Sequence, residues 1–150
     1  MLGTGAYNND DSGSLRYAFG ILDEFHKKTY GTIIGKHAFA MSPVLMRPKS
    51  RGRVMLKSRN PFHWPRMQGN YYESYDDLVV LREGAKLAVQ IAESSSFSRF
   101  GVKFHRKPFF GCEQHPFRSD EYWECCIRRI GTSLQHQVVF EMTFGYYCEV

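Results

Sequence analysis

The sequence predicts an α+β fold, in which two long helices accompany two or three short strands. Apolar residues recur at helical spacing after Ser74, and a second helical pattern begins at Ser119. Segments 38–47 and 53–57 have the short apolar or alternating patterns that are typical of strands. The 150 residues suffice for one domain with a sizeable core, and the 12 Phe and 9 Tyr argue against a disordered chain.

The N-terminal region divides into a lead-in and a helix. Residues 1–14 are rich in Gly, Asn, Asp and Ser, so we predict that they form a flexible lead-in. Between 15 and 28, apolar side chains recur at helical spacing, and two lysines stand at the end that favours positive charge. Gly31 follows as the predicted stop of this helix.

Two strands are predicted in the middle of the chain. Segment 38–47 contains Pro43, which confines part of the strand to an edge or a bend. In 53–57, charged and apolar side chains alternate, so Val54 and Leu56 should face inward on a half-buried strand. Residues 60–65 contain two prolines and should form a loop.

Both long helices carry recognisable start signals. Ser74 with Asp77 three residues later has the spacing of a capping box. Ser119 precedes acidic residues, and arginines follow near the end of that helix, which suits the helix dipole. The predicted buried face of the first long helix is formed by Leu78, Leu81, Ala85, Ala88 and Ala92. Residues 138–148 are predicted to form a strand or a hairpin around Gly145.

Composition and charge weigh against several functional classes. The first residues lack the basic and apolar regions of a signal peptide, and no apolar run approaches the roughly 20 residues that span a bilayer. The net charge of +5 favours anionic partners. Basic residues within 47–59 could contact nucleic acid, but the alternation explains them as a solvated strand face. We therefore predict no nucleic-acid partner and no membrane span.

The sequence shows no cofactor or metal site of its own. Gly3-Thr4-Gly5 lacks the strand, third glycine and helix of a dinucleotide-binding turn. The spacing of His105, Cys112, His115 and Cys125 fits no compact zinc pattern, so no metal is predicted. Cys112 could form a disulfide with Cys125 or with its neighbour Cys126, or all three could be free buried thiols.

Several motifs occur in an order that resembles a known enzyme family. They are Arg47-Pro48-Lys49-Ser50-Arg51-Gly52, Gly69-Asn70-Tyr71-Tyr72, Asp76-Asp77-Leu78, Pro108-Phe109-Phe110-Gly111-Cys112, Ser119-Asp120-Glu121-Tyr122-Trp123 and His136. This series resembles the C-terminal, substrate-binding part of the glucose-methanol-choline (GMC) oxidoreductases, especially insect FAD-dependent glucose dehydrogenase-like members. The resemblance covers residues 15–136 as a partial substrate-binding domain and leaves 137–150 as a divergent tail.

The resemblance implies a fold and an activity. The expected fold is an antiparallel-dominated sheet flanked by helices. The expected activity of the parent enzyme is oxidation of a CH–OH group of an alcohol or sugar, with hydride transfer to FAD and onward transfer to an electron acceptor. The FAD domain would be missing from this chain, which alone should be inactive. An alternative function is that of a non-catalytic, truncated binding or interaction protein. The resembled insect enzymes are often secreted.

The resemblance also implies site residues. His136 matches the position of the family's catalytic base, and imidazole suits that role because histidine changes protonation near neutral pH. After His136 the motif is lost, so this side chain could instead be an ordinary strand residue. Trp64 and Tyr71 are the candidate substrate-binding residues, and no residue of the chain is expected to bind the cofactor.

Overall fold

The computed structural model describes residues 2–5, 17, 20–131 and 146–149. Six strands and four helices are found in these residues. In chain order they are Leu2–Gly5 (β1), Asp23–Tyr30 (α1), Ala38–Ser42 (β2), Arg53–Met55 (β3), Arg66–Gln68 (β4), Tyr75–Ala92 (α2), Ser95–Ser98 (α3), Lys103–Phe104 (β5), Asp120–Ile130 (α4) and Tyr146–Glu149 (β6). None of these helices combines the length and the hydropathy needed to cross a bilayer.

Four of the strands form one sheet in the order β1-β2-β6-β5, in which every pairing is antiparallel. Ala40 in β2 lies opposite Thr4 of β1 on one side and Tyr147 of β6 on the other. The predicted α+β fold with an antiparallel sheet flanked by helices is therefore confirmed. The sheet includes β1 from the segment predicted as a flexible lead-in and β6 from the end of the chain.

The core lies between α2, α4, α1 and strand β2. The predicted inner face of α2 is confirmed, because its five apolar residues are all buried. From α4, Trp123 and Ile127 enter the same core, together with Tyr30 from α1. Burial of large aromatic and aliphatic side chains is the main stabilising contribution in a domain of this size. Trp123 is thus a packing residue.

The first helix differs from its prediction in where it begins. Within the described residues, Gly20 has a left-handed φ of +64°, and the helix then runs from Asp23. Leu22 precedes it with its side chain 75% exposed, rather than on a buried helical face. Because the left-handed conformation interrupts helical geometry, a continuous 15–28 helix does not form. Its predicted end is confirmed, since Gly31 follows the last residue.

Strand β2 and helix α2 approach each other closely at Pro43. The strand ends at Ser42, short of the predicted limit at 47, because Pro43 has no N–H with which to continue the pairing. A Cβ added to Gly84 would lie 2.8 Å from the Cβ of Pro43. Glycine inside a helix costs about 1 kcal/mol relative to alanine. The close contact explains why a helix that otherwise has good helix-forming residues carries a glycine here.

Strands β3 and β4 form a separate two-stranded ribbon, and here the burial prediction was wrong. The residues of both strands are exposed, with Val54 at 69% and Leu56, just beyond β3, at 87%. The alternation of side chains is real, but no described element covers the apolar face. The predicted loop at 60–65 does connect the two strands.

Candidate functional site

A buried carboxylate organises the segment that begins with Arg47. Asp77, only 2% exposed, accepts hydrogen bonds from the backbone N–H groups of Lys49 and Ser50, at 2.8 Å each, and from the Ser50 hydroxyl. The Ser50 Oγ in turn accepts a hydrogen bond from the backbone N–H of Ser74 at 3.1 Å. These bonds tie the basic motif to the start of α2, so the motif has a structural role.

The environment of Asp77 favours its charged form. Burial by itself raises the pKa of this carboxyl group, but the hydrogen bonds from Lys49 and Ser50 outweigh it and lower the pKa below its usual range. Lys49 also contributes a nearby positive charge. Asp77 is therefore an ionised anchor whose partners are mainly backbone donors.

The predicted capping box does not form at the start of α2. Ser74 is the N-cap residue, but its side chain makes no capping hydrogen bond. The Asp77 carboxylate is directed to residues 49 and 50 instead of the helix start. A tertiary contact has thus replaced the local one, because Ser50 satisfies the Ser74 N–H from outside the helix.

Helix α4 is fixed at both ends by hydrogen bonds. At its start, the Ser119 hydroxyl accepts a bond from the Tyr122 N–H at 3.2 Å and caps the helix, whose predicted start is confirmed. The buried Tyr122 hydroxyl accepts a bond from the Phe109 N–H at 3.1 Å. Near its end, the Tyr72 hydroxyl donates to the Ile127 carbonyl at 3.3 Å. The helix is consequently held against both neighbouring loops.

Ion pairs connect α4 to α2 on the partly exposed side. The Arg82 guanidinium lies 2.8 Å from a Glu124 carboxylate oxygen and 3.3 Å from Asp120. Lys86 contacts Asp120 at 2.6 Å. Exposed pairs contribute little individually, but Arg82 is only 15% exposed and is shared between two acidic residues of α4. The network therefore fixes how the two long helices align.

A disulfide forms the third attachment of α4. Cys112, in the loop before the helix, is bonded to Cys125 within it, a separation of 13 residues. The sequence left Cys125 and Cys126 as alternatives, and the structure selects Cys125. Cys126 is a buried free thiol, and burial raises its pKa to about 12, so it is a poor nucleophile.

The disulfide should contribute measurably to stability. We expect Cys112→Ser to lower the free energy of unfolding by about 2–4 kcal/mol, because the bond closes a loop of roughly a dozen residues in the unfolded chain. Cys126→Ser replaces a buried thiol that has no disulfide partner, and serves as the matched control with a smaller loss. Urea unfolding of both variants measures the difference, and equal losses would contradict the assignment.

The predicted base, His136, follows α4 in the sequence. The helix ends at Ile130, and His136 follows six residues later in the sequence. His136 itself lies outside the described residues. Gly131 packs tightly after the helix, because an added Cβ would lie within 3 Å of both the Tyr72 hydroxyl and the Ile127 carbonyl oxygen. The chain leaving α4 therefore starts from a fixed position.

The two predicted substrate-binding residues lie around the β3–β4 ribbon. Trp64 is in the connection between the strands and is 84% exposed. Tyr71 follows β4, is 39% exposed, and its ring lies against the backbone of Gly69 and near the ring of Tyr72. Substrate binding by these two residues stays a prediction.

One cavity in the structure was not predicted from the sequence. It has a volume of about 440 Å³ and is lined by Glu93, Ser98 and residues 102–106. Arg118 contacts two of the lining residues: it pairs with Glu93 and lies 4.6 Å from the centre of the Phe104 ring. The cavity is formed by α3 and β5, whose short lengths gave too weak a pattern for prediction.

The described residues do not form a dinucleotide site. Gly3-Thr4-Gly5 lies within strand β1, paired with β2, rather than at a turn between a strand and a helix. No group of three or more His, Cys, Asp or Glu side chains in the described part of the chain is placed to hold a metal ion.

Comparison with known proteins identifies the relatives of this chain. Glucose dehydrogenase [FAD, quinone] of Drosophila pseudoobscura pseudoobscura is 36% identical over 100 residues, which are 67% of this chain and 16% of that protein. The Drosophila melanogaster protein of the same name is 34% identical over 95 residues, 63% of this chain and 15% of that protein. An oxygen-dependent choline dehydrogenase of Pseudomonas fluorescens is 33% identical over 67 residues, 45% of this chain and 12% of that protein.

The match is confined to one part of these relatives. The chain spans about one sixth of the length of the glucose dehydrogenases that it matches. No solved structure matches significantly. A family sequence model described as GMC oxidoreductase matches residues 48–139, a segment that includes the Asp77 anchor, the disulfide and all of α4. The chain therefore belongs to the GMC oxidoreductase family.

Proposed function

We propose that this chain is the C-terminal, substrate-side portion of an FAD-dependent oxidoreductase that oxidises a CH–OH group of an alcohol or sugar. The observation that carries the proposal is the family match over residues 48–139, with glucose dehydrogenases among the relatives. The flavin, held by the rest of the enzyme, would supply the hydride-accepting chemistry. The chain alone would be inactive, because its described residues contain no dinucleotide site.

In this proposal His136 removes the proton from the substrate hydroxyl at the reacting carbon. A base of this kind must be held within hydrogen-bond reach of the proton that it takes. The attachments of α4 support the assignment, since the hydrogen bonds, the ion pairs and the disulfide fix the helix from which the segment carrying His136 departs. Trp64 and Tyr71 would contribute to the substrate side of the same enzyme.

A non-catalytic binding protein is the second candidate function. The exposed apolar side chains of the β3–β4 ribbon favour it, because large exposed apolar groups mark interaction surfaces. The two functions differ in turnover. A binding protein would associate with a partner, and it would support no oxidation even when its segment is placed in an enzyme that holds FAD.

A chimera tests the proposed function. Residues 48–136 of this chain would replace the matching segment of Drosophila pseudoobscura glucose dehydrogenase. We expect the chimera to retain FAD and to oxidise glucose or a simple alcohol with a quinone as electron acceptor. The parent enzyme with its own segment is the control. A chimera that retains FAD but oxidises none of the sugars and alcohols tested would contradict the proposal.

A further inference from the structure

The cavity between α3 and β5 has the size of a small-molecule site. Its volume of about 440 Å³ falls within the range of roughly 300–1,000 Å³ that such sites occupy. Two parts of the chain form its lining. Glu93 and Ser98 stand at the ends of α2 and α3, and residues 102–106 run through β5 into the following loop. A cavity of this size suits a small organic molecule better than a bare inorganic ion.

The lining of the cavity carries an excess of positive charge. Lys103 and Arg106 both belong to it, and neither forms an ion pair with another side chain in the described part of the protein. Glu93 does not neutralise them, because its two carboxylate oxygens pair with the Arg118 guanidinium. Two positive charges therefore remain for a ligand. A doubly charged phosphate monoester matches them, since Lys and Arg donate charge-assisted hydrogen bonds to phosphate oxygens.

The two residues at the helix ends offer hydrogen-bond acceptors. The Ser98 hydroxyl donates its hydrogen to the Ser95 carbonyl at 3.0 Å, so its oxygen is left to accept a bond. The Glu93 carboxylate can only accept, and each of its oxygens has more lone pairs than Arg118 uses. A ligand that satisfies these acceptors must donate hydrogen bonds and carry its negative charge elsewhere. Hydroxyl groups on a phosphorylated molecule meet both requirements.

The remaining walls are apolar and are held in place by their neighbours. Val102 and Phe104 contribute the apolar surface, and the Arg118 guanidinium lies 4.6 Å from the centre of the Phe104 ring. The adjacent His105 ring is tied to the Thr32 hydroxyl at 3.3 Å. Small-molecule sites combine apolar walls of this kind with a few fixed polar groups. The face of a sugar ring that carries its C–H groups can pack against such a wall.

We propose that the cavity between α3 and β5 binds a small phosphorylated polyol, of the chemical class of the sugar phosphates. Lys103 and Arg106 hold the phosphate group. Glu93 and Ser98 accept hydrogen bonds from the hydroxyl groups, and Phe104 contacts the carbon skeleton. All of these residues belong to this chain, so the ligand should bind without flavin and independently of the proposed oxidation.

Calorimetric titration of the full chain of 150 residues with glucose 6-phosphate tests the site. We expect saturable binding with a Kd of about 0.01–1 mM, which a few charge-assisted hydrogen bonds can supply. Glucose lacks the phosphate and inorganic phosphate lacks the hydroxylated skeleton, so each should bind at least about tenfold more weakly. The proposal is overturned if glucose 6-phosphate shows no saturation at about 10 mM, or if inorganic phosphate binds equally well.

Removal of one cation distinguishes this site from general attraction to a basic protein. Arg106→Ala should weaken binding of glucose 6-phosphate by about 10- to 100-fold, because it removes a charge-assisted hydrogen bond. Arg99→Ala is the matched control, since Arg99 is also exposed but does not line the cavity. Its affinity should stay within about twofold of the unmodified chain. Equal losses in the two variants would reject the site.

Removal of one acceptor tests recognition of the hydroxyl groups. Ser98→Ala should weaken glucose 6-phosphate by about 3- to 10-fold and leave the affinity for inorganic phosphate unchanged. Ser96→Ala, in the same helix and outside the cavity lining, should change neither affinity. A Ser98→Ala chain that loses affinity for both ligands equally, or for neither, would contradict the assignment of Ser98 to the hydroxyl groups.

A measurement on the unmodified chain locates the ligand without any substitution. Chemical shifts of the backbone amides would be followed during the titration with glucose 6-phosphate. We expect the largest changes at Glu93, Ser98 and residues 102–106. Changes centred on the basic β3–β4 ribbon would overturn the proposal. The four substituted residues are exposed, so the melting temperatures of the variants without ligand should match that of the unmodified chain.

Discussion

Replacement of His136 by Asn in the chimera should lower kcat/KM by about 10²–10⁴-fold, because a positioned general base contributes a factor of that size. Asparagine preserves approximate size and hydrogen bonding but cannot accept the proton. The residues that hold α4 are unchanged in this variant, so FAD content and melting temperature should stay the same. Steady-state oxidation with a quinone acceptor measures kcat/KM, and the flavin absorbance of the purified protein measures its FAD content.

A base assignment also predicts a change in the pH profile. A histidine must be unprotonated to accept the substrate proton, so kcat/KM of the unmodified chimera should fall toward acidic pH. The His136→Asn variant should lose that limb of the profile. His115→Asn, in the loop before α4, is the matched control and should keep it. A His136→Asn chimera with full kcat/KM would show that the side chain is an ordinary strand residue.

Replacement of Asp77 by Asn should destabilise the chain by about 2–4 kcal/mol, since it removes a charge that satisfies several buried donors. The asparagine amide keeps one oxygen that can accept a hydrogen bond, but its NH2 group replaces the other oxygen. The backbone N–H of Lys49 or of Ser50 would then face another donor and lose its hydrogen bond. For a domain of this size the melting temperature should fall by roughly 5–15 °C. Thermal unfolding followed by circular dichroism measures the loss.

The pH dependence of the free energy of unfolding should show that the Asp77 carboxylate is the source of this stabilisation. The pKa of its carboxyl group is lower in the folded chain than in the unfolded one, so its contribution is present above the unfolded pKa, about 4. The contribution is lost as the pH falls through the lowered folded pKa. The Asp77→Asn variant should therefore approach the stability of the unmodified chain at acidic pH.

The neighbouring aspartate provides the control for this experiment. Asp76 is largely exposed and pairs with the Lys49 ammonium on the surface, whereas Asp77 is buried. Asp76→Asn should change the melting temperature little, because exposed ion pairs contribute little. If the two variants lose the same stability, the buried hydrogen bonds to Asp77 are not the anchor of this segment.

The long helices were predictable because their signals are local and agree with one another. In α2 the spacing of Leu78, Leu81 and Ala85 marks the buried face, and all three residues are buried. In α4 the Ser119 cap and the charged ends fix both limits. By contrast, the predicted capping box of α2 was replaced by Ser50, a residue 24 positions away, which no local pattern indicates.

The ribbon shows what alternation in a strand can and cannot predict. The pattern around Val54 and Leu56 correctly separates an apolar face from a charged one. It does not say whether another element covers the apolar face, because that depends on tertiary structure. The prediction of a half-buried strand was therefore wrong for this chain, because the residues of both strands are exposed.

The candidate site was predictable only in part. The choice between Cys125 and Cys126 required the three-dimensional position of α4, since neighbouring helical residues point about 100° apart. His136 is a prediction from the resemblance and lies outside the described residues. The cavity beside β5 had no sequence signal, because a two-residue strand and a four-residue helix are too short for periodicity.

Anaerobic reduction of the flavin tests the central claim most directly. The chimera that carries residues 48–136 would be mixed with excess glucose or alcohol without any electron acceptor, and the flavin absorbance followed in time. We predict bleaching of the oxidised flavin by at least one of these substrates, slowed by about 10²–10⁴-fold in the His136→Asn chimera. A chimera that holds FAD but stays oxidised, while the parent enzyme is bleached, would contradict the account.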